Sequence, residues 1–448
     1  MGLGANSQRK VAIYDCPKVV GSAILKTMAR CGHEVLFEGK LTTETAKPDA
    51  DVWITKWTAL KGPLALENCR PKIGIVSLSV GIEHIDPVAV EEFGLKVVPC
   101  PHFSSASVAE HAIALALRNS YNRSVLPPLS SGQVVFSNFS DEYAERIVSN
   151  ILFRSRQIDQ GIKRAKKLDY TRYDEPWDNR ELQDLNVLIM GGTPSAADLA
   201  QMLSLGFSCN LFGYDASDSL EAYGIRSIHP TDFYEVVKGM DYIFLCTEKF
   251  EDLNLKQKID SERIRPPASE FSESNVSIIG TGRIGSKIAR IARLGFNCKV
   301  TAFSTTVKSE LTRLGVQYAS SVSEAIRDAN FIFITLPLNS ETHCMIGGKD
   351  LADLSMDRKR VLVNVARDRV VDNDSVLASL NRNNQMTYAT DVLPNDSILW
   401  QGGVPDEMTM KFVNHPRVVA TPHEGDCSSG SLERLLQEVA DKVSAILR

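Results

Sequence analysis

Short apolar runs alternate with amphipathic segments along most of the chain. Four of the runs have the length and the β-branched content of buried strands, namely KVAIYD (10–15), VWIT (52–55), IGIVSLS (73–79) and KVVP (96–99). Strands that alternate with helices favour parallel sheets covered on both faces. The pattern therefore predicts an α/β fold.

Two segments have the period of helices with one buried face. In VAEHAIALALRN (108–119), the small or apolar residues Ala109, Ala112, Ile113, Ala116 and Leu117 share one side. YAERIVSNILFR (143–154) repeats that face and the Ala-Glu pair. The second segment is either a copy of the first or an unrelated amphipathic helix of the same period.

A longer repeat begins at Asn186 and Asn275. Nine of 27 positions are identical between 186–212 and 275–301, at an offset of 275 − 186 = 89, and the same offset relates IFLC (243–246) to IFIT (332–335). A fixed offset over separated matches predicts an internal duplication. The polar stretches 154–185 and 248–275 are predicted linkers before each copy.

The second copy contains a glycine pattern between a predicted strand and a predicted helix. The strand NVSII leads into Gly280, Gly282 and Gly285 in the spacing GxGxxG. Such glycines give a tight turn, a close backbone approach to pyrophosphate and close helix packing, while the amides at the helix start face the anion. Gly280, Gly282, Arg283, Ile284 and Gly285 are the predicted dinucleotide-binding residues. A purely structural turn is the alternative.

The first copy differs at the same positions. Thr193 replaces the second glycine, and Pro194 removes an amide donor, so we expect this copy to have lost or weakened dinucleotide binding. After the second strand it carries Asp215, whereas the second copy has Ser304 and Thr305 and then Lys308. Without a carboxylate to repel a 2′-phosphate, the second copy favours NADP but also fits NAD. Lys308 could alternatively be a solvated helix charge.

Three motifs downstream carry candidate catalytic residues: LVNVARDRVVD (362–372), ATDVLPND (389–396) and VVATPHEG (418–425). An arginine and a histidine after such strands could bind a carboxylate and exchange a proton with a neighbouring carbonyl, which are the two tasks that reduction of a 2-oxo acid requires. Arg367 can bind the carboxylate, His423 can exchange the proton, and Asp396 can orient the imidazole. Their structural alternatives are a surface ion pair, a core histidine and a loop cap.

Composition and charge argue against several classes of partner and site. The 448 residues include 50 basic and 55 acidic side chains, a balance that indicates neither nucleic acid nor an anionic membrane as a partner. The nine cysteines form no CxxC pair, so we expect reduced thiols and a cytoplasmic protein. No transmembrane run is evident, and no metal-ligand spacing is present.

Together with SVGIEHID (79–86) and SVAEHAIAL (107–115), these motifs make the chain resemble the D-isomer-specific 2-hydroxyacid dehydrogenases. The resemblance implies a flavodoxin-like substrate domain (1–125) completed by a C-terminal helix (429–448), and a Rossmann-like NAD(P)-binding domain (275–428). Between them we expect a helical duplicate or linker (126–185) and a degenerate Rossmann-like repeat (186–274).

The resemblance also assigns roles to individual residues. It implies that the backbone amides of Ser79, Val80 and Gly81 hold a substrate carboxylate and that Asp391 meets the nicotinamide carboxamide. Asp396 stands where the family usually has glutamate, and Asp368 where it usually has glycine after the arginine.

Two functions remain open from the sequence. One is hydride transfer between NAD(P)H and a 2-oxo acid or D-2-hydroxy acid, and the other is a dinucleotide-sensing binding or scaffold protein without turnover. The expected partner is a small 2-oxo or 2-hydroxy acid, in a homodimer or in an intrachain pseudo-dimer formed by the two copies.

Overall fold

The molecule contains three parallel sheets, each with helices packed against it. The computed structural model describes residues 8–56, 58–60, 64–79, 81–82, 84–120, 134–136, 148, 157–170, 177, 180–191, 194–214, 218–228, 232, 236, 239–245, 271–272, 274–352, 354, 358–400 and 403–448. Within these ranges every strand pairing is parallel, as the α/β expectation requires.

The first sheet contains the four strands predicted near the amino terminus. Its strands are β1 (Lys10–Tyr14), β2 (Glu34–Gly39), β3 (Val52–Thr55), β4 (Gly74–Ser77) and β5 (Lys96–Pro99). They lie in the order β2-β1-β3-β4-β5. The helices of this region are α1 (Lys18–Arg30), α2 (Pro87–Glu92) and α3 (Ser105–Ser120). Val52, Trp53 and Ile54 are fully buried, as apolar runs in a two-sided sheet should be.

The second sheet is built around the first copy of the repeat. Its strands are β6 (Val134–Phe136), β7 (Asn186–Met190), β8 (Asn210–Tyr214), β9 (Arg226–Ser227) and β10 (Tyr242–Leu245). They lie in the order β6-β10-β7-β8-β9. Helix α4 (Ile158–Lys166) precedes β7, and helix α5 (Pro194–Gln201) follows it and continues as a π-helical turn (Met202–Gly206). Short 3₁₀ turns occur at Leu182–Asp184 and Asp218–Tyr223.

The third sheet is built around the second copy and has seven strands. They are β11 (Asn275–Ile279), β12 (Lys299–Phe303), β13 (Gln317–Tyr318), β14 (Phe331–Ile334), β15 (Arg360–Asn364), β16 (Met386–Thr390) and β17 (Val418–Ala420). Their order is β13-β12-β11-β14-β15-β16-β17. The chain order reverses between β11 and β14. In sheets of this kind, dinucleotides bind at such a switch point.

In the described part of the chain, eight α-helices accompany the third sheet and the carboxyl terminus. They are α6 (Arg283–Arg290) with its π-helical turn (Ile291–Gly295), α7 (Ser309–Arg313), α8 (Val322–Ile326), α9 (Gly348–Ala352), α10 (Asn373–Arg382), α11 (Asp396–Trp400), α12 (Glu407–Asn414) and α13 (Ser429–Ile446). A 3₁₀ turn covers Asp368–Val370. Helix α13 returns to the first sheet and packs its buried Leu435, Val439 and Val443 there.

The two copies have matching local structure. Strands β10-β7-β8-β9 repeat the order β14-β11-β12-β13. Helices α5 and α6 start 283 − 194 = 89 residues apart, and their π-helical turns start 291 − 202 = 89 residues apart. Gly191 and Gly280 have left-handed φ values of 95° and 98°. These correspondences support the duplication hypothesis, which stays a proposal.

The copies contact each other through the ends of those helices. A Cβ built on Gly206 would lie 3.0 Å from Cα of Gly295, so the two backbones meet at paired glycines. The rings of Phe207 and Phe296 pack edge to face with centroids 6.0 Å apart. Because equivalent positions of the two copies touch, the contact has the form of a pseudo-two-fold interface.

Helix α3 is more buried than the sequence predicted. Its expected face is buried, but Ala114 and Leu115 on the other side are also at 0% exposure. The helix belongs to a hydrophobic cluster that includes residues of both copies, so protein surrounds it on all sides. The predicted second helix at 143–154 lies outside the described residues, except for the buried Val148. No helix in the described part of the chain is both long and apolar enough to cross a membrane.

Candidate active site

The candidate catalytic residues follow three neighbouring strands. Arg367 comes after β15, Asp391 directly after β16 and His423 after β17, and these strands are adjacent in the third sheet. Carboxyl ends of parallel strands meet at one edge, which is where ligands bind in open α/β sheets. The fold therefore brings together three motifs that are separated in sequence.

His423 and Asp396 form a close pair. Nδ1 of His423 lies 2.5 Å from Oδ2 of Asp396. The backbone of His423 has a φ of 54° and that of Asn395, before Asp396, a φ of 56°. These left-handed conformations are strained for residues other than glycine and cluster at functional sites. The aspartate reaches the imidazole although it is one methylene shorter than glutamate.

The electrostatic environment favours the protonated imidazole. Burial alone would lower the pKa of His423, but the carboxylates of Asp396 and Asp391 outweigh it and raise the pKa above its ordinary value. The nearby guanidinium of Arg367 acts in the opposite direction and lowers that pKa. A histidine with this balance can hold a proton near neutral pH and release it.

The carboxylate of Asp368, next to Arg367 in the sequence, is bonded to the loop that carries Asp396. Oδ2 of Asp368 accepts a hydrogen bond of 3.0 Å from the backbone amide of Asn395. Burial and the charge of Asp396 raise the pKa of Asp368. The side chain thus braces the loop that carries Asp396, while Arg367 donates through Nη1 to the carbonyl oxygen of Ala366 at 2.8 Å.

The carboxylate of Asp391 accepts hydrogen bonds from neighbouring residues of the chain. Its Oδ1 accepts hydrogen bonds from the Thr421 hydroxyl at 2.5 Å and the Glu424 amide at 3.0 Å, and its Oδ2 accepts one from the Gly425 amide at 2.8 Å. Nε2 of the fully buried His111 lies 3.2 Å from Oδ1. Asp391 therefore fixes the backbone on which His423 sits. Its predicted contact with a nicotinamide carboxamide stays a prediction.

The predicted carboxylate loop follows β4 of the first sheet. The hydroxyl of Ser79 donates to the carbonyl oxygen of Gly81 at 2.5 Å, whereas Val80 lies outside the described residues. Two contacts join helix α3 and the segment after β3 to the loop that follows His423. The hydroxyl of Ser107 donates to the carbonyl oxygen of Gly425 at 2.6 Å, and Nζ of Lys56 lies 3.2 Å from Oδ2 of Asp426.

The glycine loop of the second copy has the geometry that a dinucleotide requires. Gly280 has a φ of 98°, and a Cβ at Gly285 would lie 2.0 Å from the Gly280 carbonyl oxygen. A Cβ at Gly282 would meet nothing within 4 Å, so open space lies beside this residue. Tight turn, close packing and open approach match the three roles of the glycines, and the residues fit a pyrophosphate.

Two of the other predicted cofactor residues have contacts of their own. The guanidinium of Arg283 lies 3.2 Å from Nε2 of His102, so it links the glycine loop to the segment after β5. Ile284 is partly buried against the hydrophobic cluster that includes α3. Thus the Ile284 side chain supports the position of helix α6.

The predicted ribose region follows β12. Ser304 is half-buried, Thr305 is exposed, and Nζ of Lys308 donates to the Ser286 hydroxyl at 2.9 Å. The ammonium group is therefore fixed beside the first turns of α6 rather than extended into solvent. In the first copy, Thr193 and Asp215 lie outside the described residues.

Several residues near His423 were not expected from the sequence. Trp400 at the end of α11 packs edge to face with the His423 ring, at 6.4 Å between centroids. Lys56 lies over the rings of Trp177 and Trp400, with Nζ 5.1 and 5.8 Å from their centroids. Isolated aromatic and lysine residues have no spacing signal, so only the fold could bring them together. Among the described residues, no group of three or more His, Cys, Asp or Glu side chains is placed to hold a metal ion.

Part of the chain matches a known family of protein domains. Residues 247–425 match the family model of the D-isomer specific 2-hydroxyacid dehydrogenase, NAD binding domain. The matched range contains the glycine loop, Arg367, Asp391, Asp396 and His423. This part of the chain is similar to the NAD-binding domain of D-isomer specific 2-hydroxyacid dehydrogenases. Residues 186–246 of the first copy lie outside the matched range.

Curated proteins similar to part of this chain include two enzymes. A D-lactate dehydrogenase of Staphylococcus aureus is 30% identical over 167 residues, which cover 36% of this chain and 49% of that protein. A glyoxylate reductase of Pyrococcus horikoshii is 31% identical over 174 residues, covering 39% of this chain and 48% of that protein. The chain thus spans about half the length of these curated relatives.

Solved dehydrogenase structures share the fold over nearly the whole chain. D-Lactate dehydrogenase from Aquifex aeolicus, complexed with NAD and lactic acid, aligns with a TM-score of 0.58 at 19% identity and covers 98% of this chain and 95% of its own. An NADPH-dependent glyoxylate/hydroxypyruvate reductase from Sinorhizobium meliloti, in complex with NADP and malonate, gives a TM-score of 0.55 at 15% identity, with 98% and 93% covered. At this identity the likeness concerns the fold alone.

Proposed function

We propose that the chain is an NAD(P)-dependent dehydrogenase that interconverts 2-oxo acids and D-2-hydroxy acids. The observation that carries the proposal is the 2.5 Å pair of His423 and Asp396 at the sheet edge that also presents Arg367. The family match to the NAD-binding domain supports the cofactor class. The D configuration of the product rests on that match as well.

The substrate carboxylate is proposed to bind Arg367 and the amides of the loop 79–81. A guanidinium presents paired donors that suit a carboxylate, and it also polarises the neighbouring carbonyl. Asp368 does not oppose this role through a free charge, because its carboxyl group accepts the amide of Asn395 and its pKa is raised. Arg367 therefore orients the 2-oxo acid with its carbonyl toward His423.

Proton transfer is assigned to Nε2 of His423. Asp396 engages Nδ1 and orients the ring, and we assign the substrate oxygen to the other ring nitrogen. In reduction, protonated His423 gives its proton to the carbonyl oxygen, and in oxidation the neutral ring removes it from the hydroxyl. When bound at the glycine loop, a reduced dinucleotide supplies the hydride. Asp396 and Asp391 keep the imidazolium stable before the transfer.

For the cofactor, we propose NADP in preference to NAD. Ser304 replaces an acidic residue after β12, and the ammonium group of Lys308 is held at Ser286 beside α6. A 2′-phosphate would find a cation and hydroxyl groups there, with no carboxylate at the strand end to repel it.

The test is oxidation of NADPH and NADH by the purified chain across a panel of 2-oxo acids. Turnover with at least one member, with a lower KM for NADPH, is the expected result. The second candidate function is a dinucleotide sensor, which the altered first copy favours. Tight dinucleotide binding without turnover across the whole panel would support the sensor and contradict the dehydrogenase.

A further inference from the structure

Tyr170 carries a hydroxyl group that the proposed mechanism does not use. Its oxygen is buried and has no hydrogen-bond partner among the residues that the structure describes. Buried polar groups in native proteins are nearly always bonded, so an unbonded one calls for an explanation. The residue belongs to the segment 157–170, which lies outside the matched dehydrogenase domain.

This segment is attached to the loop that carries His423. Helix α4 packs beside β17, and Nη1 of Arg164 donates to Oε2 of Glu424 at 3.0 Å. A Cβ at Gly161 would lie 1.9 Å from Oε1 of Glu424 and 2.8 Å from the Thr421 methyl group. A side chain at position 161 would require Glu424 or Thr421 to shift, so the glycine permits the close approach of α4.

The attachment brings Tyr170 within two aromatic contacts of the acid/base pair. Its ring lies 6.2 Å from that of Trp400, and Trp400 lies 6.4 Å from the imidazole of His423. Burial, together with the charges of Asp396, Asp391 and Asp368, raises the pKa of Tyr170 well above its ordinary value. The phenol therefore stays protonated and remains a hydrogen-bond donor over the whole working pH range.

We propose that Tyr170 contacts the substrate and that its hydroxyl donates a hydrogen bond to an oxygen of the bound 2-oxo acid. This inference rests on the proposed function and adds a substrate-binding residue from outside the matched domain. The hydroxyl is shielded from bulk water, which would otherwise compete for the bond. The segment between the first and second sheets thereby becomes part of the active site.

The test compares Tyr170→Phe with Tyr14→Phe. Tyr170→Phe keeps the ring and removes the hydroxyl, and kcat/KM for the 2-oxo acid should fall roughly 10- to 100-fold. Melting temperature and dinucleotide affinity should not fall, because no bond within the described protein is lost. Tyr14 is the matched control, because its hydroxyl oxygen accepts a hydrogen bond of 2.8 Å from the Lys47 amide. It belongs to β1 of the first sheet and has no role in the proposed mechanism. Tyr14→Phe should lower the melting temperature and leave kcat/KM unchanged.

Binding of oxamate, an inert analogue of a 2-oxo acid, provides a readout that does not need turnover. Oxamate affinity for the dinucleotide complex should weaken in Tyr170→Phe by a factor similar to that in kcat/KM. Equal kcat/KM and equal oxamate affinity in the wild type and Tyr170→Phe would overturn the inference and leave the proposed function intact. A fall in kcat/KM that is accompanied by a lower melting temperature and by weaker dinucleotide binding would also overturn it, because the substitution would then have disturbed the fold. Wild-type protein with neither turnover nor oxamate binding would overturn both proposals.

Discussion

Nδ1 of His423 and Oδ2 of Asp396 lie 2.5 Å apart, although 27 residues separate them in the chain. The pair forms because β16 and β17 are adjacent and their carboxyl ends share one edge of the third sheet. The backbone is left-handed at His423 and at Asn395, directly before Asp396. The geometry predicts that the carboxylate sets the protonation of the imidazole.

Replacement of Asp396 by Asn should shift the pH dependence of reduction. The pKa of His423 is raised, so the acid form persists to higher pH, and activity should fall as pH rises through that pKa. Asp396→Asn removes the main group that raises it, so the decline in kcat/KM should move to lower pH. Asp396→Glu, which keeps the charge, should leave the profile near its original position. An identical profile for Asp396→Asn and wild type would contradict the assignment.

Replacement of Arg367 should weaken substrate binding more than cofactor binding. A charged hydrogen bond is worth about 1.5–3 kcal/mol, so Arg367→Ala should lower kcat/KM by at least roughly 10- to 100-fold. Arg367→Lys keeps the charge without the paired donors and should recover only part of the loss. Dinucleotide dissociation constants, measured by fluorescence, should stay unchanged. Weaker dinucleotide binding with unchanged substrate binding would contradict the assignment of Arg367 to the substrate site.

Replacement of Gly285 should abolish dinucleotide binding. A Cβ there would lie 2.0 Å from the Gly280 carbonyl oxygen and 2.6 Å from the Thr335 hydroxyl, so Gly285→Ala must displace the glycine loop. Gly239→Ala is a matched control, because its Cβ would meet only the Val236 carbonyl oxygen, at 3.6 Å. Titration with NADPH should show loss of binding in Gly285→Ala alone. Retained affinity in that variant would argue against this loop as the binding site.

The choice between the two dinucleotides should depend on Lys308. Lys308→Met removes the ammonium group held at Ser286 and should raise the KM for NADPH while leaving that for NADH nearly unchanged. Ser304→Asp should produce a larger shift in the same direction, since a carboxylate repels a 2′-phosphate. The ratio of kcat/KM values for NADPH and NADH measures both effects. A wild-type preference for NADH that neither change alters would show that this pair does not select the cofactor.

The paired glycines of the two copies lead to a prediction about assembly. A Cβ at Gly206 would lie 3.0 Å from Cα of Gly295, so Gly206→Ala should destabilise the fold by about 1–3 kcal/mol through overpacking. If the first copy replaces a second subunit inside the chain, the native mass should be that of one chain. Sedimentation equilibrium gives that mass. A homodimer would contradict the intrachain pseudo-dimer and favour the alternative assembly.

The sequence predicted those parts of the molecule that have a periodic or spaced signal. Strands β1, β3, β4 and β5 were visible as apolar runs, and the glycine loop was visible between a strand and a helix. Arg367, Asp396 and His423 could be selected because each follows a recognisable motif, and the fold brings all three motifs to one edge.

Contacts between distant segments could not be predicted. The full burial of α3 depends on both copies packing around it, and a single helix period cannot show this. The sequence places Asp368 where the resembled family usually has glycine, but its hydrogen bond to the Asn395 amide exists only after folding. The positions of Tyr170 and Lys56 beside Trp400 likewise result from tertiary packing, since neither residue has a local motif.

The measurement that tests the central claim most directly is turnover of the best 2-oxo acid by wild type, Arg367→Ala and His423→Ala, with dinucleotide affinity measured for each. We expect steady oxidation of NADPH by the wild type, and His423→Ala should lower kcat by roughly 10²- to 10⁴-fold, the usual contribution of a general acid. Both variants should bind the dinucleotide as tightly as wild type. Turnover in His423→Ala equal to that of wild type would contradict the account.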